Sequence, residues 1–347
     1  MCPVQDQAIM PIRDWSTMPK VELHLHLEGA IPLDALWTLI ERHGGDPTIR
    51  TREQLVRWLS YKDFAHFIEI WTWMNGYIRT YDDFEFAARS VAQDLARQNI
   101  VYAEAFFSPS DFDSHGLSPQ GIAIAIRRGL DDVPGVDVAL IVDLVRDRGV
   151  DNAARVLSAI TEVAEDALVI GVGIGGFEDA HPPEQFADVY RHAREAGFRL
   201  TAHAGEGSGP ESVWGAIRGL GVERIGHGIR SVEDPILVEY LVEHRIPLEV
   251  CPTSNMRTGV VRDWDLHPVA TLIEAGAVVT INTDDPAMFH TTLAGEYETL
   301  VERFALDDDT MKRLSLAAVD FSWAPDQARL RMTLDLERWW AAPSVAP

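Results

Sequence analysis

The sequence predicts an α/β fold, a (β/α)8 TIM-type barrel, on three observations. Eight short β-branched or apolar runs recur along the 347 residues, each followed by a stretch with helical spacing. Eight strands interleaved with helices in about 300 residues is the count a closed barrel needs. The first turn, HLEGAIP, is not the glycine-rich phosphate loop with which a doubly wound open sheet would begin.

The first run is VELHLHL (Val21 to Leu27). The segment before it, 1–17, reads as an N-terminal extension. A long gap follows, and residues 55–98 read as a helical insert. Its stripe of Phe64, Phe67, Ile68 and Trp71 either caps the pocket as a lid or packs as core on the barrel. Trp58 and Trp73 fall off that stripe and face neighbouring elements or another subunit, so a homo-oligomer stays open.

The next runs are VYAEAFF (Val101 to Phe107), VDVALIVDL (Val136 to Leu144) and LVIGVGI (Leu168 to Ile174). Then come RLTAHAG (Arg199 to Gly205), RIGHG (Arg224 to Gly228), PLEVCP (Pro247 to Pro252) and AVVTINT (Ala277 to Thr283). Between them, segments such as PEQFADVYRHAREAG and DPILVEYLVEHR carry apolar residues at i, i+3 and i+4, with a capping residue or Gly at an end. Further helical patterns fill the C-terminus, and one domain is expected over 1–347.

Composition narrows the function. Fifty-four acidic against 30 basic residues give a net charge of −24. Phosphate backbones and anionic membranes would repel such a chain. No apolar run reaches the roughly 20 residues of a membrane span. The start, MCPVQDQAIMPIRDW, lacks the basic and apolar regions of a secretory signal. A cytoplasmic protein acting on a small molecule is expected. The two cysteines, Cys2 and Cys251, allow no disulfide framework or CxxC knuckle, and Cys251 reads as buried and inert.

In a barrel the active site is built at the C-terminal ends of the strands. The first run carries His24 and His26, two apart and therefore on one face. A buried histidine pair needs either satisfying hydrogen bonds or a bound metal ion. The fifth run ends in His203, Ala204, Gly205 and Glu206; the sixth ends at His227 between two glycines; the eighth ends in Asn282, Thr283, Asp284, Asp285 and Pro286. Taken singly, each has an ordinary reading as a helix start, a packed histidine or a turn. Together they bring four imidazoles and three carboxylates to one rim, the pattern of a functional pocket. Imidazoles with a carboxylate suit one catalytic Zn²⁺, and Fe²⁺ or Co²⁺ would fit the same donors. A second ion commonly needs a bridging group such as a carbamylated lysine. Lys20, Lys62 and Lys312, the three lysines, lie off strands two to eight. His43, His66, His115, His181, His192, His244, His267 and His290 fall on presumed helices or connections and read as surface or packing residues.

The motifs VELHLHLEGA, HAGEG, RIGHG, CPTSN and NTDDP, in this order and spacing, resemble the adenosine and adenine deaminase family of metal-dependent amidohydrolases. The likeness runs from about Lys20 to Arg329. It implies that His24, His26, His203 and Asp284 are zinc ligands. It implies that Glu206 protonates a purine ring at N1 and that His227 orients and deprotonates the metal-bound water. Asp285 would bond N7, and the Gly176 backbone N–H would hold N3. Glu28 departs from nucleoside-acting members, which carry Asp where the ribose binds, and matches members acting on free adenine, among others.

The implied reaction is hydrolytic deamination of a 6-aminopurine, with adenosine or 2′-deoxyadenosine first, adenine second and a modified or N6-substituted purine third. Water attack on C6 destroys aromaticity unless N1 is protonated, which requires a carboxylic acid of raised pKa. Phe64, Phe67 and Trp71 are expected to desolvate Glu206 for that purpose. Amide or lactone hydrolysis on the same barrel would need no such acid, and a non-catalytic purine binder would need no complete site. CPTSN reads as structural support at the seventh strand end.

Overall fold

Every expected strand forms in the computed structural model, which describes residues 13–61 and 64–343 without the side chains of Phe64 and Ala65. The expectations for Phe64, Cys2, Lys62 and most of the N-terminal extension therefore lie outside the described residues. The strands are β1 (Lys20–His26), β2 (Ile100–Phe107), β3 (Asp137–Asp143), β4 (Val169–Gly173), β5 (Arg199–Ala204), β6 (Arg224–His227), β7 (Leu248–Val250) and β8 (Val279–Ile281). They pair in parallel in chain order, one to the next.

β8 closes on β1 through few bonds. The His26 N–H donates to the Asp284 carbonyl at 2.8 Å, and the Asp284 N–H donates to the His24 carbonyl at 3.0 Å. Below them the Leu23 N–H donates to the Asn282 side-chain oxygen at 2.8 Å, in place of a ladder bond. The Asn282 N–H still donates to the Val250 carbonyl of β7 at 3.0 Å, and the chain beyond it turns into the site.

Between β1 and β2 lie α1 (Leu33–Arg42), α2 (Arg52–Trp58), α3 (Phe64–Asn75) and α4 (Tyr81–Arg97). Capping boxes start two of them, Thr51 with Gln54 at α2 and Thr80 with Asp83 at α4. The Asp46 carboxylate ties the loop after α1 to the end of α3. It accepts from the Ile49 N–H at 2.8 Å, the Tyr77 hydroxyl at 2.7 Å and the Trp73 indole at 3.1 Å. Trp58 and Trp73 meet each other, with ring centroids 5.9 Å apart.

The helical segments between strands form as expected. DPILVEYLVEHR becomes a helix over Pro235–His244, with the Asp234 side chain accepting from Ile236 N–H. No helix among the described residues is long and apolar enough to cross a membrane.

The lower barrel interior is charged, whereas branched apolar side chains are usual there. Arg224 donates from Nη2 to Glu104 at 2.5 Å and from Nε to Glu249 at 2.6 Å, with all three side chains excluded from water. The Trp323 ring covers the guanidinium, 3.6 Å from its carbon. A buried ion set of this kind is tolerable only because each charge is paired and hydrogen-bonded.

Candidate active site

Period-two alternation on β1 points His24 and His26 into the barrel mouth, where β5 brings His203. The Nε2 atoms of His24 and His203 lie 3.0 Å apart, and those of His26 and His203 lie 3.1 Å apart. Asp284 Oδ1 stands 3.5 Å from His24 Nε2 and 3.3 Å from His26 Nε2. Two donors about 2.0–2.1 Å from a shared Zn²⁺, at the tetrahedral angle, would be separated by roughly 3.3–3.4 Å, and the four separations here lie within a few tenths of an ångström of that. The four residues therefore fit one small divalent cation.

The electrostatics agree. Burial alone would push the His24 imidazole down, but Asp284 and Glu249 outweigh it and hold the group up at about 10. The carboxylates thus demand a positive charge, which a metal ion supplies in place of a proton. Burial pushes His26 down to about 4 and His203 well below its usual value, which leaves their lone pairs free for a cation. A second set of donors, His24, His227, Cys251 and Asp284, also converges. Burial pushes the Cys251 thiol well up, so it stays protonated and is the poorer ligand.

Two site residues leave their strands in the left-handed region, His227 at φ 60° and Asp284 at φ 65°. Side chains other than glycine adopt it at a cost of about 1–2 kcal/mol. Tertiary bonds hold both. The Ser254 hydroxyl donates to Asp284 Oδ2 at 2.7 Å. The Asn255 amide lies 3.2 Å from His227 Nδ1, and His267 backs Asn255 at 3.3 Å. CPTSN is thus the support that its position suggested. His267 is a packed residue, as expected, and it packs behind the site. Burial pushes His227 down to about 4, which keeps it neutral, and its Nε2 is buried without a partner.

The HAGEG turn is held by Glu178, a residue that sequence reasoning missed. Its carboxylate accepts from the N–H groups of Gly205, Glu206 and Gly207 at 2.8, 3.0 and 2.8 Å. That grip aims Glu206 Oε2 to within 3.6 Å of His227 Nε2. Burial, then Asp284 and Glu178, push the Glu206 carboxyl well above the usual range. Burial and the charge of Asp284 do the same to Asp285. Asp285 lies directly over Gly29, where an added Cβ would come 1.8 Å from its Oδ1.

These groups open into a cavity of about 320 Å³. Phe67, Ile68, Trp71 and Thr72 of α3 line it together with Phe289, so the aromatic stripe is a cavity wall. Phe67 also packs on Phe289 and Tyr61, at 5.4 and 5.3 Å between centroids. Gly176, at φ 102°, lines the opposite side, and a side chain there would strike Asp147. Glu28 is fully buried and is not among the cavity-lining residues. The Ser108 N–H donates to its Oε1 at 2.9 Å, and its Oε2 has no partner. His290 is exposed and lies outside the cavity.

Also missed were Asp143, Ser108 and Glu249. Asp143 and Ser108 sit at the ends of β3 and β2 and line the cavity. VDVALIVDL does carry the signal, an acid at the C-terminal end of an apolar run. Glu249 Oε2 lies 2.8 Å from His24 Nδ1 inside the barrel, and nothing local in PLEVCP distinguishes it from a strand residue facing outward.

Known proteins resemble this chain in sequence and fold. The adenosine deaminase family model matches residues 19–339. The aminodeoxyfutalosine deaminase of Streptomyces avermitilis is 36% identical over 334 residues, covering 94% of this chain and 93% of the relative. The crystal structure of an adenine deaminase from Arthrobacter aurescens superposes with a TM-score of 0.87 at 31% identity, covering 94% of this chain and 100% of that one. An amidohydrolase from Burkholderia ambifaria, solved with bound Zn, gives 0.85 at 26% identity, covering 96% and 99%. With a match that spans nearly all of the barrel and every strand end that carries a site residue, the chain belongs to the adenosine deaminase family.

Proposed function

We propose that this chain hydrolyses the 6-amino group of a purine nucleoside, adenosine or 2′-deoxyadenosine, to the 6-oxo product and ammonia. The observation that carries the reading is the Glu206 carboxyl, held protonated by burial beside the four-donor set. Zn²⁺ in that set would acidify a coordinated water and supply hydroxide near neutral pH.

The chain's own groups match the ring. Adenine presents acceptors at N1, N3 and N7. Glu206 as an acid, the Gly176 N–H and Asp285 as an acid are three donors around one cavity. Glu206 gives its proton to N1 as the C6–O bond forms. His227, neutral and fixed through Nδ1 by Asn255, turns Nε2 toward the attacking water and orients it. His227 takes a proton from that water and returns it to the amino group as the C6–N bond breaks; ammonia leaves, the new C6 hydroxyl gives its proton back to the Glu206 carboxylate, and the α3 wall excludes competing water.

A second reading is deamination of free adenine. Glu28 favours it, being a buried Glu where nucleoside-acting members carry Asp. A modified or N6-substituted purine uses the same chemistry. The substrate is a small molecule, and the acidic chain takes no nucleic acid or membrane partner in this reading; we assign it to the cytoplasm. Ammonia release and loss of the aminopurine absorbance, followed with adenosine, 2′-deoxyadenosine and adenine in turn, decide between the readings. Turnover of adenine alone overturns the nucleoside reading, and turnover of no purine overturns both. An amide or lactone hydrolase would keep its activity in Glu206→Gln.

A further inference from the structure

We infer that Asp143 is a specificity residue that reads what N9 of the purine carries, accepting a hydrogen bond from a hydroxyl of an N9-linked sugar. The inference rests on the purine reading above and names the part of the substrate that reading leaves open.

The strand order locates the contact. The barrel runs β1 to β8 in sequence. Glu206 follows β5, Gly176 follows β4 and Asp285 follows β8, beside β1. With N1 at Glu206, N3 at Gly176 and N7 at Asp285, C6 faces the donor set. Passing from β5 through β4 toward β1 then follows the ring from N1 through N3 to N7. The strands between β4 and β1 meet the edge that bears N9. Asp143 ends β3, and Ser108 follows β2.

Asp143 is only 4% exposed, yet it lines the cavity. Its Oδ2 accepts from the Ser108 hydroxyl at 3.2 Å, and its Oδ1 has no partner. Gly175 packs against the same carboxyl, where a Cβ would come 3.0 Å from Oδ2. Ser108 bridges two acids, because its N–H serves Glu28 while its hydroxyl serves Asp143. Each of these carboxyls keeps one buried, unpartnered oxygen. A buried acceptor left open in a cavity wall is costly unless a ligand donor fills it.

The cavity's extent favours a sugar over a bare ring. Beyond Asp143 the wall continues through Asp111, Asp147 and Arg148. Free adenine would leave that polar stretch empty, whereas a sugar brings several hydroxyl donors to it.

The test compares Asp143→Leu, Asp143→Asn and Ser108→Ala with the unchanged chain, on adenosine, its sugar-deoxy analogues and adenine. Asp143→Leu is expected to raise KM for adenosine about 10- to 100-fold, the cost of leaving a buried sugar hydroxyl without its partner. kcat and the KM for adenine stay unchanged, and Asp143→Asn, which keeps an acceptor, restores most of the loss. Removing the partner hydroxyl from the sugar costs the unchanged chain a similar factor and costs Asp143→Leu nothing more. Should Asp143→Leu fail to fold, Ser108→Ala is expected to raise KM for adenosine and not for adenine. Equal effects on adenosine and adenine, or no effect, overturn the inference.

Calorimetric binding of 9-ribosylpurine and of purine, neither of which has an amino group to lose, separates this from the reaction itself. Selective loss of ribosylpurine binding supports the role of Asp143 even if no aminopurine is turned over. Unselective loss, or no binding by the unchanged chain, overturns it.

Discussion

Nδ1 of His24 lies 2.8 Å from Oε2 of Glu249, and neither side chain touches solvent. The contact fixes the imidazole so that Nε2 faces His203 and Asp284. Glu249 is itself held by Arg224, and Arg224 by Glu104. A histidine of the candidate metal-binding set is therefore braced by a line of charges running down the barrel.

Glu249→Gln tests that brace. It should weaken metal affinity by about 10- to 100-fold, the usual effect of removing a group that orients a ligand. Competition with a chelator measures it. Unchanged affinity would mean that the neighbouring strands alone hold His24 in place.

Glu206→Gln should lower kcat by a factor on the order of 10² to 10⁴ while metal content stays the same. The pH profile gives a second check. Burial raises the Glu206 carboxyl, so its proton is present at neutral pH and is lost as pH rises through the raised value. The alkaline limb of kcat that reports this loss should vanish in the variant.

Gly29→Ala should damage the site without unfolding the barrel. The new methyl would fall 1.8 Å from Asp285 Oδ1, and the carboxyl must swing away from the ring. The expected result is a drop in kcat/KM of at least tenfold, read alongside a near-normal thermal unfolding curve.

Asp46 links the loop after α1 to the helical insert and should show in acid unfolding. Hydrogen bonds from Thr48, Tyr77 and Ile49 overcome burial and hold its carboxyl below the usual range. A group depressed in the folded state contributes stability above its unfolded value, near 3.9, and loses it as pH falls toward the folded one. Asp46→Ala should remove that acid-side loss. It should also cost about 1–3 kcal/mol at neutral pH through the donors left unpaired. Faster amide exchange in the α3 segment would show which part of the fold loosens.

The barrel was legible because its signal is local and repeated. Each β-branched run is bounded by helical spacing, and the polar residues that matter stand at run ends, where a parallel barrel collects them. His24 and His26 could be paired from strand periodicity alone. His203, Glu206, His227, Asp284 and Asp285 were legible as strand-end residues of one rim.

What the sequence by itself determined was thus the set of strands, the donors at their ends and the family to which those motifs point. Tertiary structure decided which groups support them. Glu249 reaches His24 across 225 positions of sequence, and Ser254 reaches Asp284 across 30. Closure of β8 onto β1 threads the Asp284 backbone between His24 and His26. No local pattern encodes these contacts. A strand specifies which face a side chain takes, and only closure of the barrel specifies what that face meets. The open carboxyl of Asp143 is of this second kind, since it became a wall of the cavity only when β2, β3 and β4 lay side by side.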